Sequence, residues 1–452
     1  MEKGFLGVGL VSLTIFLSSC VSTQTQVKQT KTPELHFVDV KEESPKEEAL
    51  PEATPMPAVK AVALAAPEEA AAPPSLEEAK PAEAPVVESA PPPEEDYYTS
   101  AKAPAPEVGV LYDRMIDAPA AANGNKDLMR RVFYGTDRKA SGMTQPKKFY
   151  GNERGELQLG ICEVSIPPDH EMGELESPKW WKLEFSENPN KHVVLLKVQE
   201  LSKDSFFTEL RSHIDKASDK EAFVFVHGYN VTFEDAARRT AQMSYDLGFG
   251  GAPIFYSWPS QGEIADYTVD ENEVGWTVPH LKEFLSMVAA ESGAQKVHLI
   301  AHSMGNRAMA DALQVIVNEH QLGGSPMFDQ IVLAAPDIDA AIFKRDIASR
   351  IQKTAERVTL YASSNDKALQ VSRTIHGSPR AGDAESGIIP ISGIDTIDAS
   401  LVDTSLIGHS YYGDNRSIIS DMYLLLNLKL PPDKRNLLPK EVEGGRYWAV
   451  KR

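Results

Sequence analysis

The serine at position 303 sits in Ala301-His302-Ser303-Met304-Gly305, with a small residue two places before it and two places after it. A strand-like run, Val297-His298-Leu299-Ile300, precedes this turn, and helical spacing begins at Asn306. A strand that turns sharply into a helix can hold a serine hydroxyl out at the apex. Only small flanking residues fit there, because larger side chains would strike neighbouring backbone. The helix start brings backbone N–H groups and the positive end of a dipole beside the serine. That combination suits a nucleophile that forms a covalent acyl intermediate. The simpler alternative is a serine that only caps a helix. His302, next in the chain, points another way at such a turn and is assigned to packing or pocket lining.

A nucleophilic serine needs oxyanion donors, a base and an acid. A second apolar run ends in Val226-His227-Gly228-Tyr229-Asn230, where glycine lets backbone amides turn toward a substrate carbonyl. The amides of Tyr229 and Met304 are the expected donors, with Asn230 next in line. His227 is expected to hold the loop. Asn230 is expected to touch substrate. Trp258 either packs this loop or lines the substrate site with Tyr256 and Tyr229. Two acids follow strands: Asp366 is the expected triad acid and Asp337 the alternative, while Asp339 looks like a helix cap. His376 and His409 are the only histidines after Asp366. His376 reads as loop structure and His409, after Gly408, as the base. No metal-ligand spacing and no glycine-rich phosphate loop is present, so no metal and no cofactor is expected.

These residues require a scaffold. Strands are expected at 131–136, 157–166, 192–198, 222–226, 253–257, 296–301, 330–335, 357–362 and 393–397. Helices are expected at 206–216, 232–247, 278–291, 306–319, 340–351 and 416–427. Apolar strands alternating with amphipathic helices predict an α/β fold with a mostly parallel central sheet covered on both faces. Functional residues then belong at the carboxyl ends of the strands.

Residues 128–427 resemble the α/β-hydrolase superfamily, and most closely a bacterial esterase/lipase-like branch of unknown function. The resemblance is carried by Phe133-Tyr134-Gly135-Thr136-Asp137-Arg138, Val226-His227-Gly228-Tyr229-Asn230, Phe255-Tyr256-Ser257-Trp258-Pro259-Ser260, Ala301-His302-Ser303-Met304-Gly305, the segment 333–337 and Gly408-His409. It implies an α/β-hydrolase fold and cleavage of a small-molecule or lipid acyl ester by Ser303, His409 and Asp366. It does not name a substrate, since the fold hosts many chemistries. The short span between the strands around Leu333 and Leu360 leaves no room for a large lid. An acyltransferase would use the same triad, and a non-catalytic envelope-binding lipoprotein is the reading from another class.

Ahead of this domain the chain changes character. Residues 4–17 carry no charge, too short a run to span a bilayer but suited to a signal-peptide core. They end in Leu17-Ser18-Ser19-Cys20, which resembles a bacterial lipoprotein processing site with Cys20 as the lipidated residue. The expected organisation is a signal peptide at 1–19, a disordered tether rich in Pro, Ala and Glu at 20–125, and a catalytic domain at 126–452. The protein is then expected on the bacterial cell envelope, held to the membrane by its lipid anchor. In a Gram-negative host Val21 points to the outer membrane. The net charge of −19 over 452 residues opposes nucleic-acid binding. Only two cysteines exist, and Cys162 lies in an apolar run that suits a buried structural thiol.

Overall fold

In a computed structural model of the chain, the residues described are 128–179, 181, 184–262, 267–320, 325–402 and 411–451. The expected signal peptide, the tether, Cys20 and His409 all lie outside them.

Eleven strands among these residues form one sheet: β1 (Met129–Ala140), β2 (Tyr150–Ser165), β3 (Val194–Leu201), β4 (Glu221–Val226), β5 (Ala252–Ser257), β6 (Lys296–His302), β7 (Phe328–Ala334), β8 (Ala355–Ala362), β9 (Asp395–Asp398), β10 (Leu437–Val442) and β11 (Gly445–Val450). Their spatial order is β10-β11-β9-β8-β7-β6-β4-β5-β1-β2-β3. The eight strands from β11 to β1 pair in parallel. The pairs β1–β2, β2–β3 and β10–β11 are antiparallel.

Side chains alternate between the two faces along each strand. In β4, Ala222, Val224 and Val226 join one buried cluster with α1 (Lys203–Lys216), α3 (Tyr267–Glu291) and α4 (Gly305–His320). Phe223 and Phe225 join the other, with α2 (Phe233–Asp246), Leu369 of α5 (Lys367–His376) and α6 (Arg416–Leu426). The sheet is therefore mostly parallel and covered on both faces, as its apolar strands require.

Four elements differ from expectation. His376, expected in a loop, is the last residue of helix α5. α3 begins at Tyr267 and runs through Pro279, because Val274 and Thr277 before the proline are buried along with Leu281 and Phe284 after it. The helix expected at 340–351 contains a π turn at Phe343–Ile347, flanked by α turns. The wide turn keeps Phe343, Ile347 and Ile351 all buried. The hairpin β10–β11 was not foreseen, although its second strand lies between β9 and β10.

Chain order reverses between β4 and β6: from β4 the chain steps to β5 on one side, then returns past β4 to β6 on the other. Val226 pairs with Ala301 across that line. Such a switch point opens a crevice beyond the carboxyl ends of the strands, and both His227-Gly228 and Ser303 emerge there.

Candidate active site

Ser303 adopts φ +51°, a left-handed conformation that costs a residue with a side chain about 1 kcal/mol or more. The surroundings hold it there. Ser303 N donates to Ala334 O at 3.0 Å, while Ser303 O accepts from Asn306 N at 3.1 Å and Asp337 N at 3.3 Å. Asn306 Nδ2 reaches back to Ser303 O and to Ala334 O, each at 3.0 Å. Asn306 is fully buried. It locks the turn on both sides, a role that its position three residues after the serine could have suggested.

The two flanking glycines explain themselves through contact. A Cβ at Gly305 would lie 2.2 Å from His227 O and 2.8 Å from Val226 O, and one at Gly228 would lie 2.9 Å from Ser303 Cβ. The exit of β4 thus runs directly against the turn that carries the serine. The Asn230 amide donates to Asp270 Oδ2 at 3.2 Å, so it is committed elsewhere. Among the described residues no hydrogen bond from the Tyr229 or Met304 amide occurs. The Tyr229 side chain is half-buried, edge-on to Tyr267 with centroids 5.2 Å apart.

The β4 loop is braced from below. The His227 Nδ1–H donates to Gly228 O at 2.7 Å, and Nε2 lies 3.1 Å from Ser257 Oγ. Burial, reinforced by the nearby Arg138 charge, pushes the imidazole down to about 3, so it is neutral. Trp258 is fully buried, stacked on His227 at 5.2 Å and 13°, and its Nε1–H donates to His227 O at 2.8 Å. This corrects the expectation of a substrate-binding Trp258: with no exposed face, it packs the loop. Tyr256 is likewise fully buried and forms no wall to the site.

Arg138 was only part of a motif in the sequence, without a role. Its guanidinium, 2% exposed, donates to Ser257 Oγ (2.9 Å), Gly151 O (3.1 Å), Ser260 O (3.0 Å) and Val231 O (2.7 Å). Burial lowers it to about 10. One side chain so ties β2, the β5 exit and the β4 exit together. A charged pair, Asp137-Arg138, at the end of an otherwise buried strand was the available signal.

Asp366 and Asp337 sit differently. Asp366 is fully buried in the loop after β8, and its Oδ1 accepts from Leu369 N at 3.0 Å, capping α5. Asp337 is gripped on both oxygens. Oδ1 accepts from Ser372 Oγ (2.6 Å) and Arg380 Nε (2.8 Å); Oδ2 meets Tyr267 OH and Arg307 Nη2 (3.1 Å). Burial alone would raise its pKa, but Arg307 and Arg380 outweigh it and hold the carboxyl below its usual range. Asp339 caps the following turn through Ala341 N and Ile342 N, both 2.9 Å away. His376 ends α5, with Nε2 2.7 Å from Glu271 Oε1 and Nδ1 2.7 Å from Ser372 O.

The β4 exit, the serine turn and, two strands along, Asp366 all follow the carboxyl ends of parallel strands of one sheet. His302 is nearly buried, and its ring lies 4.3 Å from that of Tyr412. Among the described residues no cluster of His, Cys, Asp and Glu could hold a metal ion.

Residues 202–427, half of the chain, match the family described as alpha/beta hydrolase of unknown function (DUF900). An uncharacterized protein of Nostoc sp., alr1448, is 26% identical over 141 residues, a match covering 26% of this chain and 37% of that relative. The chain thus spans well under two thirds of its length. Similar solved structures include Aspergillus fumigatus lipase B (11% identity, TM-score 0.26, 44% of this chain and 50% of that one). Legionella pneumophila phospholipase PlaB follows (11%, TM-score 0.27, 51% and 67%), and Bacillus subtilis carboxylesterase CesB (9%, TM-score 0.27, 72% and 99%). Likenesses this distant assign neither activity nor substrate.

Proposed function

The chain belongs to the alpha/beta-hydrolase family of unknown function DUF900, and from that membership we propose that it is a serine hydrolase cleaving acyl esters through Ser303. The left-handed Ser303, wedged between Gly228 and Gly305, carries this reading. A residue that merely caps a helix takes an extended backbone and needs no such strain.

In this reading His409 is the base. Tyr412, three residues after it in the sequence, packs on His302, the neighbour of the nucleophile. Asp366 is the orienting acid, supported by the saturation of Asp337 with Arg307, Arg380, Ser372 and Tyr267.

His409 takes the Ser303 Oγ proton as the oxygen attacks the acyl carbon. The Tyr229 and Met304 amides receive the oxyanion. His409 then protonates the departing alcohol, leaving an acyl-serine, and a water deprotonated by His409 releases the acid. Asp366 stabilises the imidazolium formed at each stage.

The test is labelling of the purified chain by a fluorophosphonate probe, beside Ser303→Ala and His409→Ala. Labelling of wild type that is lost in both variants supports an activated serine. A folded wild type that takes no label would leave the envelope-binding alternative. Membrane attachment through Cys20 is proposed from Leu17-Ser18-Ser19-Cys20; no described helix is long and apolar enough to cross a membrane. Palmitate incorporation that persists in Cys20→Ser would rule that cysteine out.

A further inference from the structure

We propose that the cavity at the amino ends of β1 and β5 binds a small phosphate monoester. This goes beyond the ester-cleaving reading and does not depend on it. The cavity measures about 380 Å³, within the range of roughly 300 to 1,000 Å³ usual for small-molecule sites. Its walls are the start of β1, the last two turns of α1, the end of α2 and the loop leading into β5. The strands β1, β5, β4 and β6 run in parallel, and Ser303 follows the carboxyl end of β6. The cavity therefore lies at the opposite end of the sheet, about 20 Å away along strands of six residues such as β5.

Positive charge gathers on the wall. Arg130, Arg131 and Lys216 all line it, and Glu209 is the one acid that does, leaving two positive charges over. Asp219 approaches Gly250 without joining the wall. His213 lines the cavity as well and feels this field. Burial first, then the Arg131 charge, then those of Lys216 and Arg130 push its imidazole below the ordinary value, against the pull of the Gly251 carbonyl.

The cationic heads are held in place by rings. The Arg131 guanidinium lies 5.6 Å from the Phe133 centroid and pairs with Glu209 at 2.9 Å. The same Phe133 ring meets His213 edge-on at 5.4 Å. The Arg130 guanidinium lies 5.1 Å from the Tyr245 centroid. A guanidinium fixed against a ring loses little freedom when it takes a ligand. Two further groups are uncommitted. Among the described residues Lys216 pairs with no acid, and the Ser244 hydroxyl makes no hydrogen bond although Ser244 is 2% exposed. A buried hydroxyl left without a partner is costly, and this one lines the cavity.

These groups define the ligand class. An apolar molecule would strand the charges, and a monocarboxylate would answer only one of the two left over. A phosphate monoester carries nearly two negative charges at neutral pH and three acceptor oxygens. That matches two arginine forks, an ammonium and a hydroxyl. The carboxyl end of α1 brings a negative dipole end to the cavity, so the attraction comes from the side chains.

The experiment is isothermal titration calorimetry of the full chain with glycerol 3-phosphate, in about 50 mM salt, where exposed charges are less screened. A rise in thermal midpoint reports the same binding where the heat is small. Glycerophosphoglycerol, a diester with the head group of a lipid, is the comparison ligand. Saturable binding at one site is expected, tighter for the monoester. Arg131→Gln and Lys216→Gln should each weaken it roughly 10-fold or more, and Ser244→Ala about 3- to 10-fold. Arg131 and Lys216 are exposed, so both variants should keep the fold, which circular dichroism checks. Lys203→Gln, at the far end of α1, and Ser303→Ala should bind as wild type does. Absence of saturable binding by either readout would overturn the site, as would undiminished binding in folded Arg131→Gln and Lys216→Gln. Tighter binding of the diester would also overturn it, in favour of a lipid head group. Binding lost in Ser303→Ala but kept in Lys216→Gln would move the anion to the serine crevice and overturn the proposal.

Discussion

Replacing His227 by Asn removes one titrating group from beneath the β4 loop, and its effect on acid stability follows from the site. The folded imidazole sits at about 3, against about 6.5 for an exposed one. The unfolded chain therefore binds a proton that the folded chain refuses. Stability contributed by this group is present above about pH 6.5 and is lost as pH falls toward about 3. Over the whole window the loss is on the order of 5 kcal/mol, and by about pH 4.5 roughly 2.7 kcal/mol of it has occurred. His170 works the other way: held up to about 9, it gains about 1.4 kcal/mol of stabilisation between pH 7.5 and 4.5. The wild-type trend alone mixes the two, so the difference between proteins is the useful quantity. Urea midpoints of wild type and His227→Asn would be measured at about pH 7.5 and 4.5 and converted with the shared slope. The variant starts lower at neutral pH, having lost the stack on Trp258, but should lose about 2 to 3 kcal/mol less on acidification. Parallel pH trends in the two proteins would refute a neutral, desolvated His227.

Gly305→Ala forces a backbone clash with His227 O and Val226 O. The two chains must part by about an ångström, so labelling of Ser303 should fall roughly 10²-fold, as a probe time course would show. Asp337→Asn strands Arg307 and Arg380 and should cost about 3 to 5 kcal/mol in urea unfolding, while the folded fraction still labels. Asp366→Asn should stay folded, losing about 1 kcal/mol of capping, yet label about 10³- to 10⁴-fold more slowly; the reverse pattern would make Asp337 the acid. His170→Gln should remove the alkaline loss of stability that wild type shows as pH rises from about 6.5 through 9, on the order of 3 kcal/mol. Asp246, Glu176 and the Tyr245 ring, 5.3 Å away, are the groups that face this histidine.

The central strands and the serine turn were legible because burial on two faces writes continuous apolar runs, and because a strained turn admits few residue types. β6 and α4 were found almost to the residue for that reason. What was illegible came from contacts distant in sequence. Pro279 reads as the beginning of a helix, and nothing local reveals the turns ahead of it in α3. The β10 residues Pro439, Lys440 and Glu441 are exposed and carry little strand signal; the hairpin forms because Trp448 and Val450 of β11 find a place in the core. Trp258 could equally have faced substrate or loop, and only the His227 carbonyl beneath it decides. Arg138 was invisible as a brace because its four partners come from three other segments.

The order of the strands has a consequence for the time at which this sheet can exist. Among the described strands β1 is made first but pairs with β5, so its parallel edge waits for more than a hundred further residues. β11 is made last, yet inserts between β9 and β10. No stretch of nascent chain can therefore assemble the finished sheet until residue 450 has emerged, and such long-range pairing is intrinsically slow. Until then the growing parallel sheet carries an unpaired edge, at β6 until β7 is made and at β7 until β8 is made. That is a hazard in a crowded compartment and an asset wherever an unfolded chain must be threaded through a membrane before it closes.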